Sequence, residues 1–246
     1  MKADFYMMGA QFEGTGATAI KLSQINFGED FKGPDYGEGP DEYQKIAPQV
    51  QLAFANREGN SKYYFINEAI EDDSYPSGYA PGWMDSDDNP ADPDVLLGLG
   101  FWYYDPYNKV RMFQNSGQVL GDPVWEKEYN RDFRMLVSPY PRDVKLSELT
   151  FVDILDGAPE YGDGPDEYQK TATQIQIPFA NREGFLKYYF ISDAIENDQG
   201  GYDPGWMDSD DNPVDAKDLV IPAGRGCWFC PSKNFPKERM TVIFPK

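Results

Sequence analysis

The chain carries one segment twice. Residues 36–73 recur as residues 161–198, and 27 of the 38 positions are identical. Farther along, residues 82–90 recur as residues 205–213. A repeat of about half the chain is close to the size of a small domain. With a turn-rich stretch at 121–124 as the boundary, we predict two tandem domains of the same fold, residues 1–124 and 125–246.

The composition supports a folded, strongly acidic protein. The 246 residues include 17 Tyr, 16 Phe and 5 Trp, which supply enough apolar area for a core in each half. The 42 acidic and 22 basic residues give a formal net charge of −20. Such a surface repels nucleic acid and anionic lipid headgroups, and attracts cations or basic partners. We therefore expect no nucleic-acid partner.

Two residue types limit the chemistry. The chain has no histidine, which excludes histidine-based nucleophile activation and histidine-ligated metal sites. Cysteine occurs only as Cys227 and Cys230, in Cys-Trp-Phe-Cys-Pro, where the first copy has the aromatic run 101–104. A redox motif of this spacing should open a helix. Two apolar thiols on a strand are the favoured interpretation.

The location of the chain is left open by its composition. No segment approaches the ~20 apolar residues of a membrane-spanning helix, so we expect no membrane span. Residues 1–5 lack the apolar core of a signal peptide. Either the protein stays inside the cell or the sequence begins after a removed leader.

The hydrophobic pattern within each copy has a period of two, which predicts strands. Residues 49–54 and 62–66 flank the turn residues 56–59, and the second copy repeats this arrangement, so each copy should hold a β-hairpin. Residues 68–71 and 193–196 predict one short helical turn each. We expect an all-β protein: two tandem duplicated small domains, sandwich-like or barrel-like, with at most short helical turns.

Two repeated motifs resemble elements of known functional sites. The motif Gly-x-Gly at 98–100 and 224–226 favours a bulge or tight bend over a phosphate loop, because no helix follows it. Residues 39–45 and 164–170 pair carboxylates with a tyrosine, as a glycosidase acid and base would be. Because the element occurs twice in equivalent places, a loop or strand entry is the favoured interpretation.

The acidic loops are the strongest candidate site. Aspartate and asparagine alternate there in the way that oxygen ligands converge on Ca²⁺. Pro90 and Leu96 replace the turn glycine and bidentate glutamate of an EF-hand, so this is not an EF-hand. The alternative is a turn in which these side chains accept hydrogen bonds from backbone amides. The predicted calcium ligands are Asp85, Asp87, Asn89, Asp92, Asp208, Asp210, Asn212 and Asp215.

The aromatic residues admit two interpretations. Large rings are core residues first. They are also flat platforms on which sugars stack, and the candidate platforms are the tyrosine pairs and Trp83, Trp102, Trp206 and Trp228.

The order of several motifs carries a resemblance. The motifs are Lys-Leu-Ser, Gln-Val/Ile-Gln, Lys-Tyr-Tyr-Phe-Ile, Gly-Trp-Met-Asp and a closing Gly-x-Gly-Phe-Trp. Residues 98–102 match the last motif fully, whereas 224–228 have cysteine at the Phe position. The chain resembles uncharacterised secreted tandem-repeat surface proteins of the Planctomycetes–Verrucomicrobia group. This resemblance implies an extracellular or cell-surface location, with the leader absent from this sequence, and it assigns no functional residues.

Together these features favour a non-catalytic extracellular structural or assembly protein, such as a subunit of a filament or surface layer. Its acidic loops would bind calcium, and its partner would be another copy of itself, in an oligomer or polymer. The alternative is a carbohydrate-binding module that uses tryptophan and tyrosine to hold a polysaccharide. An enzyme that uses carboxylates is disfavoured by the duplication and the missing histidine.

Overall fold

The computed structural model describes residues 5–9, 19–35, 40–53, 59–107, 124–130, 133–161, 164–178 and 184–245. The chain divides into two compact units, Met1–Val119 and Leu120–Lys246. The described residues form many short strands and two seven-residue helices, which confirms the all-β class. Their sheets are open and do not close into a barrel. The predicted hairpin turns at 56–58 and 181–183 lie outside the described residues.

The first unit is built on one antiparallel five-stranded sheet in the order β1-β7-β3-β4-β5. A separate pair, β2 and β6, lies beside a 3₁₀ turn at Leu22–Gln24. The elements are β1 (Phe5–Gly9), β2 (Ala19–Lys21), α1 (Pro40–Ile46), β3 (Gln49–Ala53), β4 (Asn60–Glu71), β5 (Tyr79–Met84), β6 (Asp94–Leu96) and β7 (Gly100–Tyr104).

The second unit repeats this arrangement and adds to it. Its elements are β8 (Val124–Asn130), β9 (Arg134–Val137), β10 (Val144–Lys145), β11 (Thr150–Phe151), α2 (Pro165–Thr171), β12 (Thr173–Pro178), β13 (Phe185–Glu196), β14 (Tyr202–Asp208), β15 (Pro213–Val214), β16 (Val220–Ile221), β17 (Gly226–Cys230) and β18 (Arg239–Pro245). The main sheet has the order β15-β14-β13-β12-β17-β9, so the equivalent strands follow one another as in the first unit. A three-stranded sheet, β11-β18-β8, and a two-stranded ladder, β10-β16, complete the unit.

The predicted hairpins and tight bends are confirmed. Gln49 pairs with Tyr64 in the first unit and Gln174 with Tyr189 in the second, in the same antiparallel register. The bends contain Gly98 and Gly224, whose φ angles are 67° and 69°. Glycine adopts such positive φ values without steric cost, and this explains the Gly-x-Gly pattern.

The segments predicted as short helical turns are strand residues instead. Residues 68–71 end β4 and residues 193–196 end β13. Each strand has a register shift, after Ile66 and after Ile191, beyond which pairing with the neighbouring strand resumes. A bulge of this kind breaks the two-residue alternation that marks a strand, and for this reason the sequence pattern predicts a helical turn there.

The segments predicted as loops or strand entries are the two helices, so that prediction was wrong. Each helix has proline as its first residue, two acidic residues in the first turn and a lysine in the last. Proline supplies a preset φ at the first position, and these charges interact favourably with the helix dipole. Tyr43 and Tyr168 are fully buried, so each helix is anchored to its sheet by one large side chain.

Each main sheet has packed side chains on two faces. Tyr43 packs with Tyr64 and Met84 on the helix side of the first sheet. Phe65 and Trp83 alternate with those strand residues, and they therefore point to the opposite face. There they pack against the loop after the 3₁₀ turn, through Phe31.

That loop is held to the bulge of β4 by hydrogen bonds. The Gly33 N–H donates to Asn67 Oδ1 (2.9 Å), and the Asn67 N–H donates to the Pro34 carbonyl (2.9 Å). A Cβ added at Gly33 would lie 1.8 Å from the carbonyl oxygen of Phe65. Only glycine allows the loop to approach the strand this closely.

Gly33→Ala should therefore lower the free energy of unfolding by ~1–3 kcal/mol, as overpacking does elsewhere. Urea denaturation measures the change. Gly201→Ala is the matched control, because the nearest atom to an added Cβ lies 3.4 Å away on a side chain. Its effect should stay within ~0.5 kcal/mol. Equal stability of the two variants would contradict the close packing of the loop.

Candidate functional site

The acidic loop of the first unit is a hydrogen-bonded turn centred on Asp85. Oδ1 of Asp85 accepts hydrogen bonds from the backbone N–H of Asp87 (2.9 Å) and of Asn89 (3.0 Å). Asn89 Nδ2 also donates to this oxygen (3.4 Å). The turn brings Asp88 to a φ of 64°, a conformation that aspartate tolerates better than most residues.

The second unit repeats the turn around Asp208. Its Oδ1 accepts hydrogen bonds from the backbone N–H of Asp210 and of Asn212, both at 2.9 Å. The fourth residue of the turn, Asp211, again has a φ of 64°. The predicted backbone-capping turn is thus present in both loops.

The remaining two predicted ligands point elsewhere. Asp92 Oδ1 accepts from the Ser23 N–H (2.9 Å) and its Oδ2 accepts from Ser23 Oγ (2.8 Å). Asp215 Oδ2 lies 2.5 Å from Lys217 Nζ, and hydrogen bonds from Lys217 lower the pKa of Asp215. Within the described residues, no three Asp, Glu or Cys side chains are grouped closely enough to hold a metal ion.

One carboxylate oxygen in each loop, on a residue outside the predicted ligand set, is buried. Among the described side chains, Oδ1 of Asp88 and Oδ1 of Asp211 are buried without a hydrogen-bond partner. A buried carboxylate oxygen requires a proton, a water or a cation. Tyr168 lies near Asp211, and burial together with this negative charge raises the pKa of Tyr168 to about 12. Calcium binding at these loops therefore stays a prediction.

Millimolar calcium should raise the melting temperature, because an ion that binds only the folded state stabilises it. The expected affinity is that of weak extracellular sites, ~10⁻⁴–10⁻³ M. Differential scanning calorimetry with calcium and then with chelator measures the shift. The double variant Asp87→Ala/Asp210→Ala should abolish it while keeping the turns, to which these two residues contribute backbone N–H groups.

Asp41→Ala/Asp166→Ala is the matched control, since it removes the same charge from the exposed first turns of the helices. This variant should keep the calcium shift. A parent protein whose melting temperature is unchanged at several millimolar calcium would leave the loop residues as turn formers.

The paired carboxylates of the glycosidase-like motif lie in the first turns of the two helices. Glu42 Oε2 lies 2.9 Å from Lys45 Nζ, and Glu167 Oε2 lies 3.3 Å from Lys170 Nζ. Exposed ion pairs of this kind contribute little to stability. The tyrosines of the motif, Tyr43 and Tyr168, pack into the core, whereas its glutamates pair with lysines at the surface.

Both cysteines are buried on β17, and neither is in a disulfide. Residues three apart on a strand point to opposite faces, and their Cα atoms are separated by about 10 Å. A disulfide needs Cα atoms within ~7 Å. Burial also raises the pKa of Cys227 to about 12, which disfavours the reactive thiolate.

Neither thiol should react with a disulfide reagent at pH 8 while the protein is folded. A pKa of about 12 rather than 9.0 lowers the thiolate fraction of Cys227 ~1,000-fold. Spectrophotometric titration should give slow labelling in buffer and both thiols in guanidinium. Fast labelling of the folded protein would contradict this burial, and Cys230→Ser would then identify the reacting residue.

The tryptophans divide between core and surface. Trp83 and Trp206 are 4% and 5% exposed, and each packs edge-on against a phenylalanine at a centroid distance of 5.4 Å. They are core residues and are not available as sugar platforms. Trp102 and Trp228 are half-buried on β7 and β17, each of which is next to an edge strand of its sheet.

A groove of about 540 Å³ lies in the first unit, between the 3₁₀ turn, the loop that follows it and the β4–β5 hairpin. Four aromatic side chains line its floor: Phe27, Phe31, Phe65 and Trp83. Phe27 and Phe31 stack at a centroid distance of 4.7 Å, and Phe31 lies 4.3 Å from Phe65. The volume is within the range of small-molecule sites.

The rim of the groove is polar. The exposed polar residues Ser23, Gln24, Asn26 and Asp92 line it, together with the exposed apolar Ile70 and Pro81. The sequence alone drew attention to Ser23, Trp83 and Asp92, but for other reasons. Gln24, Asn26 and Phe31 belong to no recognisable motif, so the groove could be found only in the folded chain.

Comparison of the chain with protein-family models finds no match, and neither curated proteins nor solved structures give one. Among the described residues, no helix is long and apolar enough to cross a membrane. The resemblance to secreted repeat proteins stays an expectation from short motifs. Function is therefore inferred from the burial, charges and contacts of the chain's own residues.

Proposed function

We propose that this chain is a non-catalytic structural protein of the extracellular space or cell surface. It works by self-association into an oligomer or polymer, such as a filament or a surface layer. The observation that carries the proposal is a pair of exposed apolar side chains that occurs at equivalent positions of both units.

The pair lies on the outer hairpin of each main sheet. Ile70 and Tyr79 are 44% and 45% exposed, and their equivalents Ile195 and Tyr202 are 39% and 58% exposed. The register pairs Ile70 with Ala80 and Tyr79 with Glu71, so these two side chains project from opposite faces of the hairpin. A scattered exposed apolar residue needs no explanation, but an exposed isoleucine and an exposed tyrosine that both recur at equivalent positions favour an interface. Two such surfaces on one chain permit contacts that continue from molecule to molecule.

Charge around the hairpins supports a salt-dependent association. Residues 71–73 of the first unit are all acidic, and Glu196 and Asp198 occupy the equivalent region of the second. Copies with a net charge of −20 repel one another at low ionic strength, where the Debye length is ~30 Å. Salt or divalent cations should screen this repulsion and strengthen assembly.

A sheet edge offers a further contact. β8 ends the three-stranded sheet, and among the described strands only β18 pairs with it. An unpaired edge can be completed by a strand of a neighbouring chain. Glu126 and Glu128 on this strand are exposed, so pairing there should also be weak until the charges are screened.

Tyr79→Ser/Tyr202→Ser should weaken self-association at least tenfold, because it removes an exposed aromatic ring from both hairpins. Static light scattering over a salt and calcium series measures the association constant. Leu186→Ser is the matched control: Leu186 is 44% exposed, and the equivalent residue of the first unit is Ser61. The control should associate as the parent protein does.

Two results would overturn the proposal. One is a parent protein that stays monomeric at high concentration under all salt and calcium conditions. The other is carboxylate-dependent hydrolysis of a glycan, which would make the protein an enzyme.

The groove of the first unit favours a second function, carbohydrate binding. Ile70 belongs both to the exposed pair and to the groove, whereas Tyr79 and Tyr202 do not line the groove, so substitutions at these two tyrosines test self-association without changing the groove. Retention of the monomer on a polysaccharide would support this alternative.

A further inference from the structure

We propose that the groove of the first unit binds a neutral sugar ring of a polysaccharide. The ring stacks on Phe31 and Phe65, and its hydroxyl groups hydrogen-bond to Gln24, Asn26 and Asp92. This site deepens the carbohydrate-binding alternative and does not depend on self-association.

The floor of the groove fits the apolar face of a sugar ring. Phe27 and Trp83 are buried beneath it, whereas Phe31 and Phe65 are half-buried and line the space directly. Phe31 contacts three other rings at centroid distances of 4.3–5.9 Å, so its orientation is fixed before a ligand arrives. A rigid aromatic platform loses little entropy on binding.

The rim supplies both hydrogen-bond donors and acceptors. Asn26 Oδ1 accepts from the Gly28 N–H (2.8 Å), and Gln24 Oε1 accepts from the Lys21 N–H (2.8 Å). These bonds orient the two side chains and leave their NH₂ groups without a partner among the described residues. The Asp92 carboxylate, held by Ser23, keeps lone pairs that can accept from a hydroxyl.

This combination suits a sugar better than a purely apolar ligand. A hydroxyl both donates and accepts, so it can pair with an amide NH₂ and with a carboxylate. An apolar ligand over the groove would displace water from these rim groups without replacing its hydrogen bonds, which is unfavourable.

Charge selects a neutral sugar. Asp92 lies on the rim, and the whole chain has a net charge of −20. A uronic acid or a sulfated sugar would therefore be repelled. We expect binding to hexoses or pentoses without acidic groups.

The second unit has exchanged the residues that matter. Gln24 and Asn26 correspond to Glu148 and Thr150, and residues 152–158, which follow Phe151 as the loop of Phe31 follows Phe27, contain no aromatic residue. Glu148 Oε2 accepts hydrogen bonds from Arg142 (2.8 Å) and from the Lys145 N–H (3.0 Å). Leu155 is 54% exposed and offers no ring for stacking. The binding site is thus a property of the first unit.

These differences between the units suggest two variants. Asn26→Thr places the second unit's residue in the first, and Phe31→Leu replaces the ring by an aliphatic side chain. Tyr75→Ser is the control, since it removes a 45% exposed aromatic side chain that does not line the groove. Circular dichroism melting verifies that each variant is folded.

Affinity electrophoresis and isothermal titration calorimetry test binding to soluble glucan, galactomannan and xylan, with alginate as the anionic comparison. The parent protein should bind at least one neutral polysaccharide. Phe31→Leu should weaken that binding at least tenfold and Asn26→Thr about threefold, whereas Tyr75→Ser should leave it unchanged. Tyr79→Ser/Tyr202→Ser should retain full binding, which separates this site from self-association.

Four results would overturn the proposal. They are no binding of the parent protein to any neutral polysaccharide, equal binding to alginate, unchanged binding in Phe31→Leu, and loss of binding in Tyr75→Ser. Oligoproline, which also docks in aromatic grooves, is the competing occupant. Binding of oligoproline in place of every polysaccharide would assign the groove to a peptide.

Discussion

Each unit depends on the antiparallel pairing of one twelve-residue strand with its neighbours. This strand is β4 in the first unit and β13 in the second. Each strand pairs with a neighbour on both sides, and each carries a bulge where the register shifts. The regular part of the strand supports the core. The part beyond the bulge carries the hairpin that presents exposed isoleucine and tyrosine. In the first unit the bulge residue Asn67 also fixes the loop that forms the groove.

The sequence predicted those features that arise from local chemistry. Alternating apolar residues at 49–54 predict a strand, which forms over Gln49–Ala53, although Gln49, expected on the exposed face, is buried with Val50. Glycine at 98 and 224 permits the positive φ of a tight bend. The acidic turns followed from aspartate and asparagine, whose short side chains accept hydrogen bonds from nearby amides.

Other features depend on contacts that no local pattern reports. The helices at 40–46 and 165–171 are too short to be stable alone, and they form because Tyr43 and Tyr168 are buried against the sheet. Residues 68–71 have a helical spacing, yet pairing with β5 holds them in a strand. The groove brings together residues from 23 to 92, which only the fold makes neighbours.

The positions of the two thiols determine whether the folded chain can form an internal disulfide. Since Cys227 and Cys230 point to opposite faces of one strand, they cannot be joined unless β17 leaves its sheet. The folded chain therefore has the same covalent structure in a reducing cytoplasm and in an oxidising exterior.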